Sequence, residues 1–123
     1  MISDETTTID EMKNRIKEFI DERDWRKYHK PKDIAVSISI EASELMEIFQ
    51  WLSDEEVDEL TNSPSSRKSI RFELADIMSY VLILSIALNI DLSRAVFEKI
   101  SRNEMKYPVD RVRGKHGKPL DKR

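Results

Sequence analysis

The sequence predicts an all-α protein built on four main helices. Only two glycines and four prolines interrupt 123 residues, no segment alternates apolar and polar side chains long enough for a strand, and apolar residues recur every three or four positions. The first helix is expected from about Thr7 to Asp24, with Ile9, Met12, Ile16, Phe19 and Ile20 on one face. It ends in the polar segment RDWRKYHK. Pro31 suits the first turn of a second helix, where an N–H has no intrahelical partner anyway, and Ile34, Ile38, Leu45 and Phe49 carry that helix to about Leu52. Ser53 can cap the short acidic piece that follows, because its hydroxyl can accept from amides of the next turn. The TNSPSSR segment reads as a loop. A third helix is expected from about Ser66 to Leu88, and Asp91 can cap a fourth that Pro108 stops after about Tyr107. Residues 1–108 therefore read as a single helical domain, and 109–123 as a basic, aperiodic, mobile tail.

The third helix is apolar on more than one side. Ile70, Leu74, Ile77, Val81, Leu84 and Leu88 form one stripe, while Phe72, Leu82, Ile83 and Ile86 fall outside it. Such a helix needs packing partners on several sides, and in so short a chain a second subunit is the expected source of some of them. A central core helix in a monomer is the alternative.

Composition removes several functional classes. Without cysteine there is no disulfide or thiolate metal site. The N-terminus MISDETTTIDEM is acidic where a signal peptide would be basic and then apolar, and no apolar run reaches the ~20 residues of a membrane span, so a soluble cytoplasmic protein is expected. A formal charge of -3 supplies no global basic field for a nucleic acid polymer. The charges are nevertheless segregated. No Lys or Arg occurs between Asp33 and Ser66 or from Phe72 to Ser93, whereas the last thirty or so residues are net positive.

Within those two base-free stretches, Glu41-x-x-Glu44 and Glu73-x-x-Asp76 each place two carboxylates on one helix face at the edge of an apolar stripe. Packing the stripes together would gather four acids with no Lys or Arg three or four residues away. That arrangement is costly unless a cation neutralises it. Oxygen ligands suit hard divalent ions, and Mg2+ in particular keeps waters and bridges to phosphates. A ferritin-like di-iron centre would want Glu-x-x-His on two helices, and neither histidine follows a Glu at that spacing. Solvated or salt-bridged acids are the alternative. Glu47, one turn further, could orient a water or act as general base, or could be an exposed glutamate.

The two acid pairs with their 28 intervening residues resemble the ExxE…ExxD signature of MazG-like all-α nucleotide pyrophosphohydrolases. RDWRKYHKPKDIA, EASELMEIFQW, ELADIMSYVL and the late Lys99…Asn103…Lys106-Tyr107-Pro108 are similar to the dCTP-pyrophosphatase branch, over about residues 10 to 110. The resemblance implies a four-helix bundle assembled as a homodimer or homotetramer. It implies cleavage of nucleoside triphosphates to a nucleoside monophosphate and pyrophosphate, with Mg2+ held by Glu41, Glu44, Glu73 and Asp76. Lys99 and Asn103 would reach the phosphates, and Trp25 and Trp51 would border the base. His29, one turn from Trp25, is a further candidate for substrate contact. Ile16 and Asp33 depart from the histidine and asparagine of some dCTP-cleaving relatives, so the base remains open between dCTP-like pyrimidines and modified nucleotides. The rival from another class is a catalytically silent helical oligomer that serves as an interaction module, which would have no reason to keep the four acids with Lys99 and Asn103.

Overall fold

A computed structural model describes residues 1–115, whose regular secondary structure is all helical, with no strand among them. The chain divides into two compact units, Met1–Asn89 and a second that begins at Ile90. In the first unit, α1 (Ile9–Glu22) is followed by a 3₁₀ turn at Arg26–Tyr28, α2 (Pro31–Phe49), α3 (Asp54–Asn62) and α4 (Pro64–Ala87). The second contains α5 (Leu92–Lys106) and α6 (Val109–Val112).

Six α-helices among the described residues replace the four expected. The short acidic piece is a full helix, closed by a reciprocal cap in which the Ser53 hydroxyl accepts from the Glu56 amide and the Glu56 carboxylate from the Ser53 amide, at 3.2 and 2.9 Å. These backbone bonds hold the Glu56 carboxyl below its ordinary range. The expected TNSPSSR loop collapses to Ser63 alone. The last carbonyls of α3 are met locally, Asp58 by Thr61 and Asn62 and Thr61 by Arg67, while Pro64 opens α4 at once from an extended Ser63. The expected aperiodic tail contains α6, and its remainder, 116–123, lies outside the described residues. Thr8, Pro31 and Asp91 start α1, α2 and α5.

α4 is the centre of the first unit, packed by α2 above all and by α3 and α1. Its multi-sided apolarity explains this position. Ile34 and Leu82, each 2% exposed, and Ile20 are the buried apolar side chains, joined by Ser85, whose hydroxyl donates to the Leu82 carbonyl at 2.7 Å. Leu82 is thus internal, and Ile83 and Ile86 are half-buried lining cavities beside α1. Phe72, Leu74 and Met78 on α4, with Val36, Ile40 and Met46 on α2, remain exposed. No single helix is long and apolar enough to cross a membrane among the described residues.

Candidate active site

Because α2 packs on α4, the two acid pairs meet. One carboxylate oxygen each from Glu41, Glu73 and Asp76 lie within 4.8 Å of one another. Glu44 adjoins both Glu41 and Glu73, and the charge of Glu47 reaches Glu73 from the next turn. The electrostatic consequence is large. Partial burial, then the neighbouring Glu44 and Asp76, push the Glu41 carboxyl up to about 7. Burial first, then the charges of Glu44 and Asp76, also raise Glu73. Oε2 of Glu73 is buried and has no hydrogen-bond partner. The ion pairs formed by Arg15, Arg26 and Lys27 go to Glu18, Asp21 and Asp24, away from this group. A buried acceptor without a donor, among carboxylates that repel one another, fits a site that could hold a metal ion.

Beside Asp76 opens a pocket of about 470 Å³ between α1, the 3₁₀ turn and α4, lined by Trp25, His29, Phe19, Tyr80 and Arg15 among others. The end of α1 builds its aromatic wall. Asp24 takes a left-handed conformation, φ 53, which lets its own amide donate to Asp21 and the Trp25 amide donate back to Ile20, both at 3.1 Å. This double bond pattern reverses the chain and brings the residue after the left-handed one over the last helical turn. Trp25 accordingly meets Phe19 edge to face, centroids 5.7 Å apart, while the Arg23 guanidinium covers Phe19 at 3.8 Å.

Trp25, His29 and Asp76 are therefore brought together, whereas Trp51 is not. α2 was expected to run to Leu52, but it stops at Phe49 and the chain turns, with the Leu52 amide bonded to the Phe49 carbonyl at 3.0 Å. Trp51 lies beyond the end of α2 and is 85% exposed. Lys99 and Asn103 lie one turn apart on α5, in the second unit. Phe19, Arg15 and Tyr80 were not singled out from the sequence. Tyr80 follows Asp76 by four residues on α4, a spacing that could have flagged it; Phe19 and Arg15 join the pocket only because α1 packs on α4.

An all-helical chain with converging carboxylates beside an aromatic pocket is the architectural class that these observations define. Residues 36–118 match the model of the MazG-like family, and the chain belongs to that family. It is 35% identical over 114 residues to dCTP pyrophosphatase 1 of Rattus norvegicus, covering 93% of this chain and 67% of that protein. The Bos taurus protein of the same name is 36% identical over 114 residues, with 93% and 68% covered. The structure of a pyrophosphatase from Archaeoglobus fulgidus superposes with a TM-score of 0.77 and 40% identity, over 88% of this chain and 99% of that one.

Proposed function

We propose that this protein is a nucleoside triphosphate pyrophosphohydrolase that uses Mg2+ to convert nucleoside triphosphates, pyrimidine deoxynucleotides such as dCTP or modified nucleotides, to the monophosphate and pyrophosphate. The observation that carries the reading is the convergence of Glu41, Glu44, Glu73 and Asp76 beside a pocket with an aromatic wall. Family membership and the names of the relatives support it. An interaction module would gain nothing from leaving Glu73 Oε2 buried and unpaired.

Glu41, Glu44, Glu73 and Asp76 would hold the ion. Bound there, Mg2+ would supply charge neutralisation for the triphosphate and a more acidic water. Asp76 belongs to both the acid group and the pocket, so it ties the phosphate end of a nucleotide to one end of the pocket. Trp25 offers a ring face or edge to a base, and His29 a hydrogen-bonding group. Glu47, one turn beyond Glu44, would orient a water or act as general base, a role supported by its charge reaching Glu73. Lys99 and Asn103 are proposed to meet phosphate oxygens, and Trp51 to border the base of a nucleotide from a neighbouring subunit. The exposed apolar side chains of α2 and α4 support a homodimer or homotetramer, working in the cytoplasm.

The test is pyrophosphate release from a panel of nucleoside triphosphates with and without Mg2+. Metal-dependent release with a pyrimidine preference is expected. No release from any triphosphate would reject the reading.

A further inference from the structure

The aromatic pocket has a direction. A groove next to it brackets Arg15 and Ile16 of α1 with Ala75 and Ser79 of α4, and a cavity of about 250 Å³ on its other side brackets Ile20 with Ile86 and Ala87. α1 and α4 therefore run side by side in the same sense, and Arg15, Ile20, Asp76 and Ile83 all line the pocket between them. One end of the pocket is charged, by Asp76 and Arg15, and the other is aromatic and apolar, with Trp25, Ile20 and Ile83. Arg15 is the one Lys or Arg among the described residues lining it. Among the described residues its ion pair is with Glu18, stretched to 3.9 Å between side chains that are 71% and 68% exposed. Such a pair contributes little and leaves the guanidinium free to turn.

We propose that Arg15 is a substrate-binding residue that holds the α-phosphate, the phosphate that stays with the nucleoside after cleavage. The inference rests on the nucleotide reading above. With the metal-binding end at Asp76 and the base against Trp25, the group of a nucleotide nearest Arg15 is the phosphate that joins the two ends. A guanidinium is suited to it because two N–H groups can donate side by side to two phosphate oxygens, which a lysine cannot match. Arg15 thereby offers positive charge from α1, a helix that carries none of the four acids.

Direct binding tests this without turnover. Titration calorimetry in Mg2+ buffer would compare dCMP, dUMP and pyrophosphate on the unmodified protein, Arg15→Gln and Arg15→Lys. Circular dichroism should show an unchanged fold, since Arg15 is exposed. Arg15→Gln should weaken dCMP and dUMP by the same factor, about tenfold to a hundredfold, leave pyrophosphate unchanged, and be partly rescued by Arg15→Lys. Three results would overturn the assignment: unchanged or undetectable dCMP binding, an equal loss for pyrophosphate, or a loss confined to one base, which would make Arg15 a reader of the base edge. If the unmodified protein cleaves triphosphates while Arg15→Gln binds dCMP normally, the pyrophosphohydrolase reading survives without Arg15. If it cleaves none while the dCMP loss is seen, Arg15 stands and the reaction assignment falls.

Discussion

The carboxylate face between α2 and α4 and the aromatic pocket between α1 and α4 share Asp76, yet they are built by different physics. The first is made by periodicity: acids three apart on each of two helices must meet once the apolar stripes beside them pack. The second is made by an interruption, the left-handed turn at Asp24 that folds Trp25 back over Phe19. One region stores repulsion and invites a cation; the other stores no charge conflict and offers an aromatic surface. Substitutions in the two regions should therefore damage different quantities.

The largest effect is expected on the carboxylate face. Glu73→Gln keeps shape and removes charge, so turnover should fall on the order of a hundredfold or more with loss of Mg2+ binding, while the metal-free fold is retained or gains stability. Pyrophosphate release and melting curves in chelator would measure both. In the pocket, Trp25→Ala should raise KM about five- to a hundredfold with a smaller change in kcat, because stacking is present in the ground state as well as the transition state. Trp25→Phe should recover most of it. Trp51→Ala is the control within the comparison: equal effects on KM would mean that a neighbouring subunit brings Trp51 to the base, and no effect would leave Trp25 as the stacking residue.

A smaller effect separates the two regions by pH. Glu41 has an ordinary value of 4.5 that is raised to about 7 in the fold, so between those values the folded protein binds more protons than the unfolded chain. Its contribution to stability is fully present below 4.5 and is lost as pH rises through about 7. Metal-free protein should consequently melt at lower temperature as pH climbs through that window. Glu41→Gln should flatten the dependence and Trp25→Ala should leave it intact. A metal-free melting temperature that rises across the window would contradict the crowding of the four acids.

Legibility followed the same division. The acid pairs, the starts of α2 and α5, the Ser53 cap and the apolar excess of α4 could be read because each depends on residues within a turn or two. The end of α2 was expected at Leu52 rather than Phe49 because a helix end is decided by which carbonyls find donors, and the turn after Phe49 has no Gly or Pro to announce it. The near absence of a loop between α3 and α4 was hidden for a related reason: Pro64 in TNSPSSR reads equally as a turn residue or as the first residue of a helix. Phe19 and Arg15 needed the packing of α1 on α4, and Ile83 and Ile86 needed it too. Their surplus apolarity faces α1 within the chain, and exposed apolar surface on α4 is carried instead by Phe72, Leu74 and Met78. If the proposed oligomer forms through this surface, Leu74→Glu should shift the protein toward monomer in light scattering at low micromolar concentration, and an unchanged assembly would count against that surface.

The smallest effect probes the turn itself. Asp24 holds φ 53, a conformation in which the Cβ of an L-residue crowds the following carbonyl, and short polar residues bear this better than most. Glycine has no Cβ, so Asp24→Gly should relieve strain worth up to about 1 kcal/mol. The substitution also removes the Lys27–Asp24 ion pair at 3.1 Å, which joins two exposed side chains. That loss is worth roughly 0–1 kcal/mol, so the net change in stability should be slightly favourable or close to nil. KM should not move, because the Trp25 amide can still bond back to Ile20. Asp24→Val reverses both expectations. A β-branched side chain resists the left-handed region, so the turn should open, stability should fall, and KM should rise toward the value of Trp25→Ala while Mg2+ affinity stays unchanged. If Asp24→Val lowered stability yet left KM untouched, the turn would be a packing device alone, and the aromatic wall would owe its position to α4 rather than to the end of α1.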